Sequence, residues 1–269
     1  MNYFEIFTKH FSSTSLNVIL VYLLSLSATF IIEMLAVGRE KSTLYKLIKG
    51  DLPKTSRQDI VIWFLDISGA WLFLGKLITL GATFYFAVNF NPWLSNIFSN
   101  NFSAIRFLPL ITLLPIQILI YFLISDFVGY WLHRTFHRAQ LLWTLHKFHH
   151  SATEMSIFTA RRDNPVVVPI FVLFTGLPVI LFGYPSEFPL WVIFFGTLHA
   201  SLIHSQIASN WGIIGRWLVV SPLGHLIHHS KAEPHHDKNF AFMFPIWDHI
   251  FGTFYNGDVR VQSIGIKEN

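Results

Sequence analysis

Three stretches of this 269-residue chain, residues 16–35, 69–88 and 107–132, are each apolar over the roughly 20 residues that a helix needs to cross the hydrocarbon of a bilayer. Two shorter runs, 166–183 and 188–203, are joined by Tyr184-Pro185-Ser186-Glu187 and read as an antiparallel helical hairpin that need not span completely. The composition agrees: 52% of the residues are hydrophobic and 13% charged, where a soluble domain carries about a quarter charged. The expected architecture is all-α, a polytopic membrane helical bundle of four to five spans forming one domain over residues 1–269.

Orientation follows from Lys and Arg in the short loops. The segment after the first run carries Arg39, Lys41, Lys46, Lys49, Lys54 and Arg57, whereas residues 89–104 carry none. The first is expected in the cytoplasm and the second outside. A first helix preceded by Glu5, with no small-residue cleavage pattern after it, reads as a retained anchor. Asn101-Phe102-Ser103 has the form of a glycosylation acceptor, a triplet frequent by chance. The basic balance, with a pI near 9.3, is accounted for by juxtamembrane residues, so no nucleic-acid partner is expected.

Into this lipid-adapted chain fall three histidine clusters, His133-x-x-x-His137, His146-x-x-His149-His150 and His225-x-x-His228-His229, holding eight of fourteen histidines. Imidazole is a poor apolar filler, and each ring nitrogen near hydrocarbon needs a partner. On a helix, residues at i, i+3 and i+4 share a face, so the spacing predicts that His-x-x-x-His offers two nitrogens, and His-x-x-His-His three, to one point. A metal ion is the partner that satisfies such a set. One ion takes about three or four protein ligands, so eight or more histidines argue for two ions. Cysteine is absent, which removes disulfides, thiolate ligands and cysteine-held iron–sulfur clusters.

Single residues extend the set. His204, at the end of an apolar run, is expected to be a further ligand, and His199 either a ligand or a hydrogen-bonding residue between helices. Asp126 lies two turns before His133 on the same face, where a carboxylate could receive a ligand histidine's second N–H or take part in a proton network, which makes it a candidate catalytic residue behind the ligands. His235 and His236, after Pro234, read as a solvated loop; His10 and His249 read as structural or solvent-facing. Lys76 reads as a lysine reaching for the membrane surface, and Trp131, Trp143, Trp191, Trp217 and Trp247 as interfacial anchors or as walls of an acyl slot.

Over residues 126–253 the chain resembles the membrane-bound fatty acid hydroxylase and sterol desaturase superfamily. The resemblance is carried by Asp126-x-x-x-Tyr130-Trp131-x-His133-Arg134-x-x-His137, Leu142-Trp143-x-x-His146-x-x-His149-His150-Ser151, His204-Ser205, Pro222-x-x-His225-x-x-His228-His229, Asn239 and Trp247-Asp248-x-x-Phe251-Gly252-Thr253. It implies a histidine-held di-iron centre, with zinc able to substitute in a purified protein, and dioxygen as co-substrate. The reaction it implies is hydroxylation or desaturation of a membrane lipid, at the cytoplasmic face of a bacterial inner membrane or the endoplasmic reticulum. Where many relatives have Arg-x-His-Pro-x-Glu, this chain reads Arg162-Asp163-Asn164-Pro165-Val166-Val167, a departure that favours an acyl or alkyl chain over a sterol, with sterol or carotenoid hydroxylation or desaturation as the alternative within the superfamily. Gln206 stands where an asparagine is common.

The residues agree with that chemistry. An unactivated C–H bond has no acidic proton, so a redox metal with oxygen is needed to open it. The chain has no Gly-x-Gly-x-x-Gly after a strand and no haem-ligating cysteine, so an external electron donor, a reductase, ferredoxin or cytochrome, is expected. A zinc hydrolase would call for His-Glu-x-x-His, which is absent. A metal-transport or metal-binding membrane protein is the rival of another class, and it would place its ligands at mid-membrane or in disordered tracts. Oligomeric state is not legible.

Overall fold

The structure is a computed structural model and describes residues 16–79, 89, 114–176, 188–257 and 260–266. His10, Asn101, residues 80–88 of the second expected span, nearly all of the 89–104 loop, and the 177–187 hairpin turn lie outside these residues.

Eleven α-helices occur among the described residues: α1 Leu16–Val37, α2 Thr43–Lys49, α3 Lys54–Ile67, α4 Ala70–Ile78, α5 Leu114–Arg138, α6 Gln140–His150, α7 Val167–Thr175, α8 Phe188–Ile203, α9 Gly212–Trp217, α10 Pro222–His228 and α11 Ile246–Ile250. Local chemistry sets several ends. Ser42 caps α2 by accepting Tyr45 N–H at 3.3 Å, and Ser221 caps α10 by accepting Gly224 N–H at 3.1 Å with Pro222 in the first turn. Gly69, in the left-handed region at φ 75°, lets α3 and α4 meet at a bend of 85°.

The protein is an all-α membrane helical protein. Among the described residues two helices, α1 and α5, are long and apolar enough to cross a bilayer, or three spans if bent α3–α4 counts as one, where four to five were expected of the whole chain. The last two expected spans appear as the nine-residue α7 and as α8, whose apolar stretch Leu190–Ile203 is short of a crossing. Exposed apolar side chains, among them Leu24, Leu35, Phe64, Leu77, Leu119 and Trp191, are what a lipid-facing surface requires.

Two clusters tie the helices to the loops that follow them. Tyr130 of α5 packs with Ile203, Val220, Phe240 and Ala241, and Trp63 of α3 packs with Ile157 and Phe158 against Leu26 and Phe30 of α1. Helix α8 lies along α1, where Ser25 donates to Phe194 O at 3.2 Å. In the last turns of α1, the buried carboxylate of Glu33 accepts Thr43 N–H at 2.7 Å, Thr43 O–H at 2.8 Å and Gln206 N–H at 2.8 Å. It thereby fixes the turn that follows His204.

Candidate metal centre

Nine histidines converge into two groups. His133, His137, His146, His150 and His228 form one, and His149, His204, His225 and His229 the other; within each group one nitrogen per ring lies within 4.8 Å of all the rest. These are the nine expected ligands, but their partition differs from the simple face argument. Each His-x-x-His-His set divides: His146 and His150 go to the five-histidine group while His149 goes to the other, and His225 and His229 go to the four-histidine group while His228 crosses over. Helix geometry explains this. At about 100° per residue, position i+4 is displaced about +40° from i and position i+3 about −60°, so the i, i+4 pair stays together and the i+3 ring swings to the opposite side. Two helices so built, α6 and α10, share both sites between them.

The nitrogen geometry tests whether metal fits. His133 Nδ1–H donates to Phe240 O at 2.8 Å and His228 Nδ1–H to Lys238 O at 2.8 Å. A carbonyl only accepts, so both rings carry their proton on Nδ1 and present bare Nε2 lone pairs to each other at 3.0 Å. His204 Nδ1–H likewise donates to Ala200 O at 2.7 Å, leaving Nε2 facing His149 Nε2 at 3.3 Å and His225 Nε2 at 2.9 Å. Opposed lone pairs repel unless a cation lies between them. Imidazoles bound about 2.1 Å from one ion have nitrogens roughly 3.0–3.4 Å apart, the spacing found here. His137 Nε2, both nitrogens of His146 and His150 Nε2 are buried with no hydrogen-bond partner among the described residues. Both groups are thus suitable for a di-metal site. Burial, with His228 nearby, pushes His146 down to about 3, and burial pushes His228 down to about 4, so both rings stay neutral, the form that ligates metal.

The supporting residues differ from expectation at Asp126. Its carboxylate does not reach a histidine. It accepts the backbone N–H groups of Phe242 at 3.0 Å, Met243 at 2.9 Å and Phe244 at 2.7 Å. Asp248 does the same for Phe240 at 2.7 Å and Ala241 at 3.0 Å, and takes the Thr253 hydroxyl at 2.7 Å. Two buried carboxylates therefore pin the strap 240–244, whose start supplies the carbonyl that orients His133. The side-chain reach of an aspartate and the amides of an irregular strap place the carboxylate one link further from the rings than spacing suggested. Phe242 also stacks on the His133 ring at 4.8 Å and would clash with a Cβ at Gly129, 3.0 Å from its ring.

His199 lies outside both groups; its Nε2–H donates to Val220 O at 3.0 Å, the inter-helix alternative. His235 is buried against Tyr255, unlike the solvated loop expected, while His236 is exposed as expected. His249 donates to Arg216 O at 2.8 Å between the rings of Trp217 and Phe254, a structural role. Trp131, Trp191 and Trp217 are exposed anchors, but Trp143 packs on His137 and His150 and Trp247 on Phe127.

Sequence reasoning missed several carboxylates. Asp163 Oδ1 faces His149 Nδ1 at 3.7 Å. Buried Asp59 pairs with Arg162 at 2.6 Å, and Arg162 also donates to Phe148 O at 3.0 Å and to Ser151, locking the end of α6. Lys46, Glu154 and Gln206 form a further polar knot below Glu33. Charged residues inside apolar runs, the signal that flagged Asp126, would also have flagged Glu33.

A cavity of about 320 Å³ reaches His146 of one group and His149 and His204 of the other, walled by Phe122, Phe171, Phe242 and parts of α5, α7 and α8. It shares Phe122, His199 and Met243 with a second cavity of about 370 Å³ lined by Ile118, Leu119, Phe195, Leu198 and Leu202. The two cavities therefore adjoin between α5 and α8, the first of them lined by the histidines.

Comparison with known proteins agrees with this arrangement. Alkylglycerol monooxygenase of Homo sapiens is 34% identical over 133 residues, 49% of this chain and 29% of that protein. The Xenopus tropicalis alkylglycerol monooxygenase is 33% identical over 133 residues, again 49% of this chain and 29% of the relative. Methylsterol monooxygenase 1-1 of Arabidopsis thaliana is 30% identical over 156 residues, 54% of this chain and 49% of that protein. The matches thus span less than a third of the alkylglycerol monooxygenases and about half of the methylsterol monooxygenase. No solved structure matches the chain. The fatty acid hydroxylase family model matches residues 118–253, the stretch that holds all nine grouped histidines, and the chain belongs to that family.

Proposed function

We propose that this protein is an oxygen-dependent hydroxylase or desaturase of a lipid acyl or alkyl chain, working with two irons held by the nine histidines. The observation that carries the reading is the pair of histidine groups at the inner end of an apolar cavity that opens between helices. Bound iron would supply, with dioxygen, the oxidation of an unactivated C–H bond that no acid or base in the chain can perform. The residues do the rest. The five-histidine group would hold one ion and the four-histidine group the other, with Phe240 O and Lys238 O keeping His133 and His228 in their ligating tautomer. Phe122, Phe171 and Phe242 exclude water and hold a chain carbon beside His146, His149 and His204. The apolar cavity speaks against a metal transporter, which needs a polar ion path.

The reading extends to topology and partners. The histidine centre faces the cytoplasm, with Arg134, Lys147, Lys231 and Lys238 around it, in a bundle of four to five spans. Electrons come from a separate protein donor. A sterol is the second reading, supported by the similarity to methylsterol monooxygenases.

The test is the metal content of detergent-purified protein produced with ample iron, for wild type, His149→Ala and His228→Ala, the two residues that cross between groups. About two irons per chain, falling in both variants, is expected, together with oxygen-dependent change of an added lipid. Absence of bound metal in the wild type, or full occupancy in both variants, would remove the basis for the reading.

A further inference from the structure

The two histidine groups differ in what stands behind their rings. In the five-histidine group the Nδ1–H groups of His133 and His228 go to backbone carbonyls, which are neutral dipoles. In the four-histidine group His204 is likewise turned to Ala200 O, while Nδ1 of His149, His225 and His229 is buried with no hydrogen-bond partner among the described residues. One of these three faces a carboxylate. Asp163 Oδ1 stands 3.7 Å from His149 Nδ1, and no other grouped histidine pairs with a carboxylate among the described residues.

No hydrogen bond commits either atom elsewhere. His149 Nε2 points at His204 Nε2, 3.3 Å away, so ligation there leaves the ring's proton on Nδ1, the atom that faces Asp163. No N–H or O–H among the described residues donates to the Asp163 carboxylate, and the neighbouring Arg161 is turned to Asp66 at 3.3 Å and to Thr197 at 3.0 Å. The segment is docked on the end of α6. The Trp71 indole donates to Asp163 O at 2.9 Å, and Arg162 donates to Phe148 O at 3.0 Å and Ser151 Oγ at 2.9 Å, on either side of His149 and His150. With the backbone pinned this close, the carboxylate reaches hydrogen-bond distance by moving about 0.5–1 Å. The other acceptor beside the ring is the Arg162 carbonyl, a neutral one.

We infer that Asp163 is the positioning residue of the four-histidine group: its carboxylate takes the Nδ1–H of His149 and so aims Nε2 at the metal. It acts through His149 and does not itself touch the metal. An ionised acceptor makes the imidazole it holds a stronger electron donor than a carbonyl does. The two ions are therefore held in unlike fields, one behind carbonyls alone and the other behind a carboxylate, and the second favours its higher charge state. This rests on the metal-binding part of the proposed function and not on its lipid chemistry.

The experiment titrates metal-free protein with cobalt(II) against a competing chelator at about pH 8. That lies above the value of about 7 to which burial and Asp66 push the Asp163 carboxyl, so the group is ionised. The wild type is expected to take up about two cobalt ions per chain. Asp163→Leu weakens one of them about 10–100-fold and leaves the other within about 3-fold, while Asp163→Asn, which keeps an acceptor oxygen without the charge, weakens the same ion less. In the His204→Ala background, where the five-histidine ion remains, adding Asp163→Leu changes nothing, which assigns the weakened ion. Iron-loaded protein gives a second readout. Asp163→Asn shifts the reduction potential of one iron upward, because a fixed negative charge that favours the ferric ion is gone; a purely structural role does not produce that shift. Cobalt affinities unchanged in Asp163→Leu overturn the inference and give the His149 proton to the Arg162 carbonyl. Equal weakening of both ions, or an iron potential unmoved in Asp163→Asn, overturns it as well. Wild type that takes up neither cobalt nor iron removes the metal reading itself, and the inference with it.

Discussion

The five-histidine and four-histidine groups both draw on α6 and α10, yet they are not equivalent. The first draws i, i+4 pairs from both α5 and α6 and one crossing ring from α10, and two of its rings are oriented by carbonyls at residues 238 and 240. The second has one i, i+4 pair, one crossing ring, and His204, which stands just past the end of α8 and is oriented by its own preceding turn. Pairs on a rigid helix need no long-range contact to come together, whereas His204 and the crossing rings depend on the packing of α8 and α10 against α6. The five-histidine group is thus over-determined and the four-histidine group has no ligand to spare.

The sharpest way to break that comparison is to remove one ring from each. His204→Ala leaves three donors and is expected to lose about one metal per chain, while His137→Ala leaves four and is expected to lose a clearly smaller fraction. Metal analysis of the two purified variants decides, and equal losses would show that the groups behave as one unit.

A smaller effect is expected from the strap. Asp126→Ala strips three buried N–H groups of their acceptor, at about 1–3 kcal/mol each, and should weaken metal at the five-histidine group about 10–100-fold through His133. Asp126→Asn, which keeps one acceptor oxygen, should lie between. Competition with a chelator reads this directly; an equal loss at both groups would mean that the strap serves the fold and not the site.

The smallest effect is in pH. His146 and His228 titrate in the fold near 3 and 4 but near 6.5 when unfolded, so below that value the unfolded chain takes up protons that the fold refuses. Stability of metal-free protein is therefore intact above about pH 6.5 and declines as pH falls toward 4, by about 1.4 kcal/mol per histidine at pH 5.5. Unfolding temperatures of metal-free protein at pH 7 and 5.5 measure it. A flat profile would show these rings to be hydrated in solution.

Much of the site was legible because its histidines pair locally. His133 with His137, and His146 with His150, meet through one helical turn, and that geometry is written in spacing. His204 was legible for another reason, an imidazole closing an apolar run. What spacing concealed was direction: Asp126 shares the face of His133, but its oxygens found the amides of residues 242–244, more than a hundred positions away. The buried pair Asp59–Arg162 and the hold of Glu33 on Gln206 were hidden in the same way, since either residue alone reads as an ordinary charge. Helix α3 was not expected, because Lys54, Arg57, Asp59 and Asp66 interrupt its apolar length, and the glycine that bends it into α4 stood at the start of the expected 69–88 run.

By itself, the sequence determined that this chain folds as apolar helices, that nine particular histidines gather, and that they are too many for one ion. These follow from hydropathy and helical period, which act over a few residues. Which histidine joins which group and which carboxylates hold the strap came only from the folded arrangement. Those outcomes depend on the angle at which α6 meets α10 and on the closure of distant loops, and both are set by packing between segments that no local pattern links.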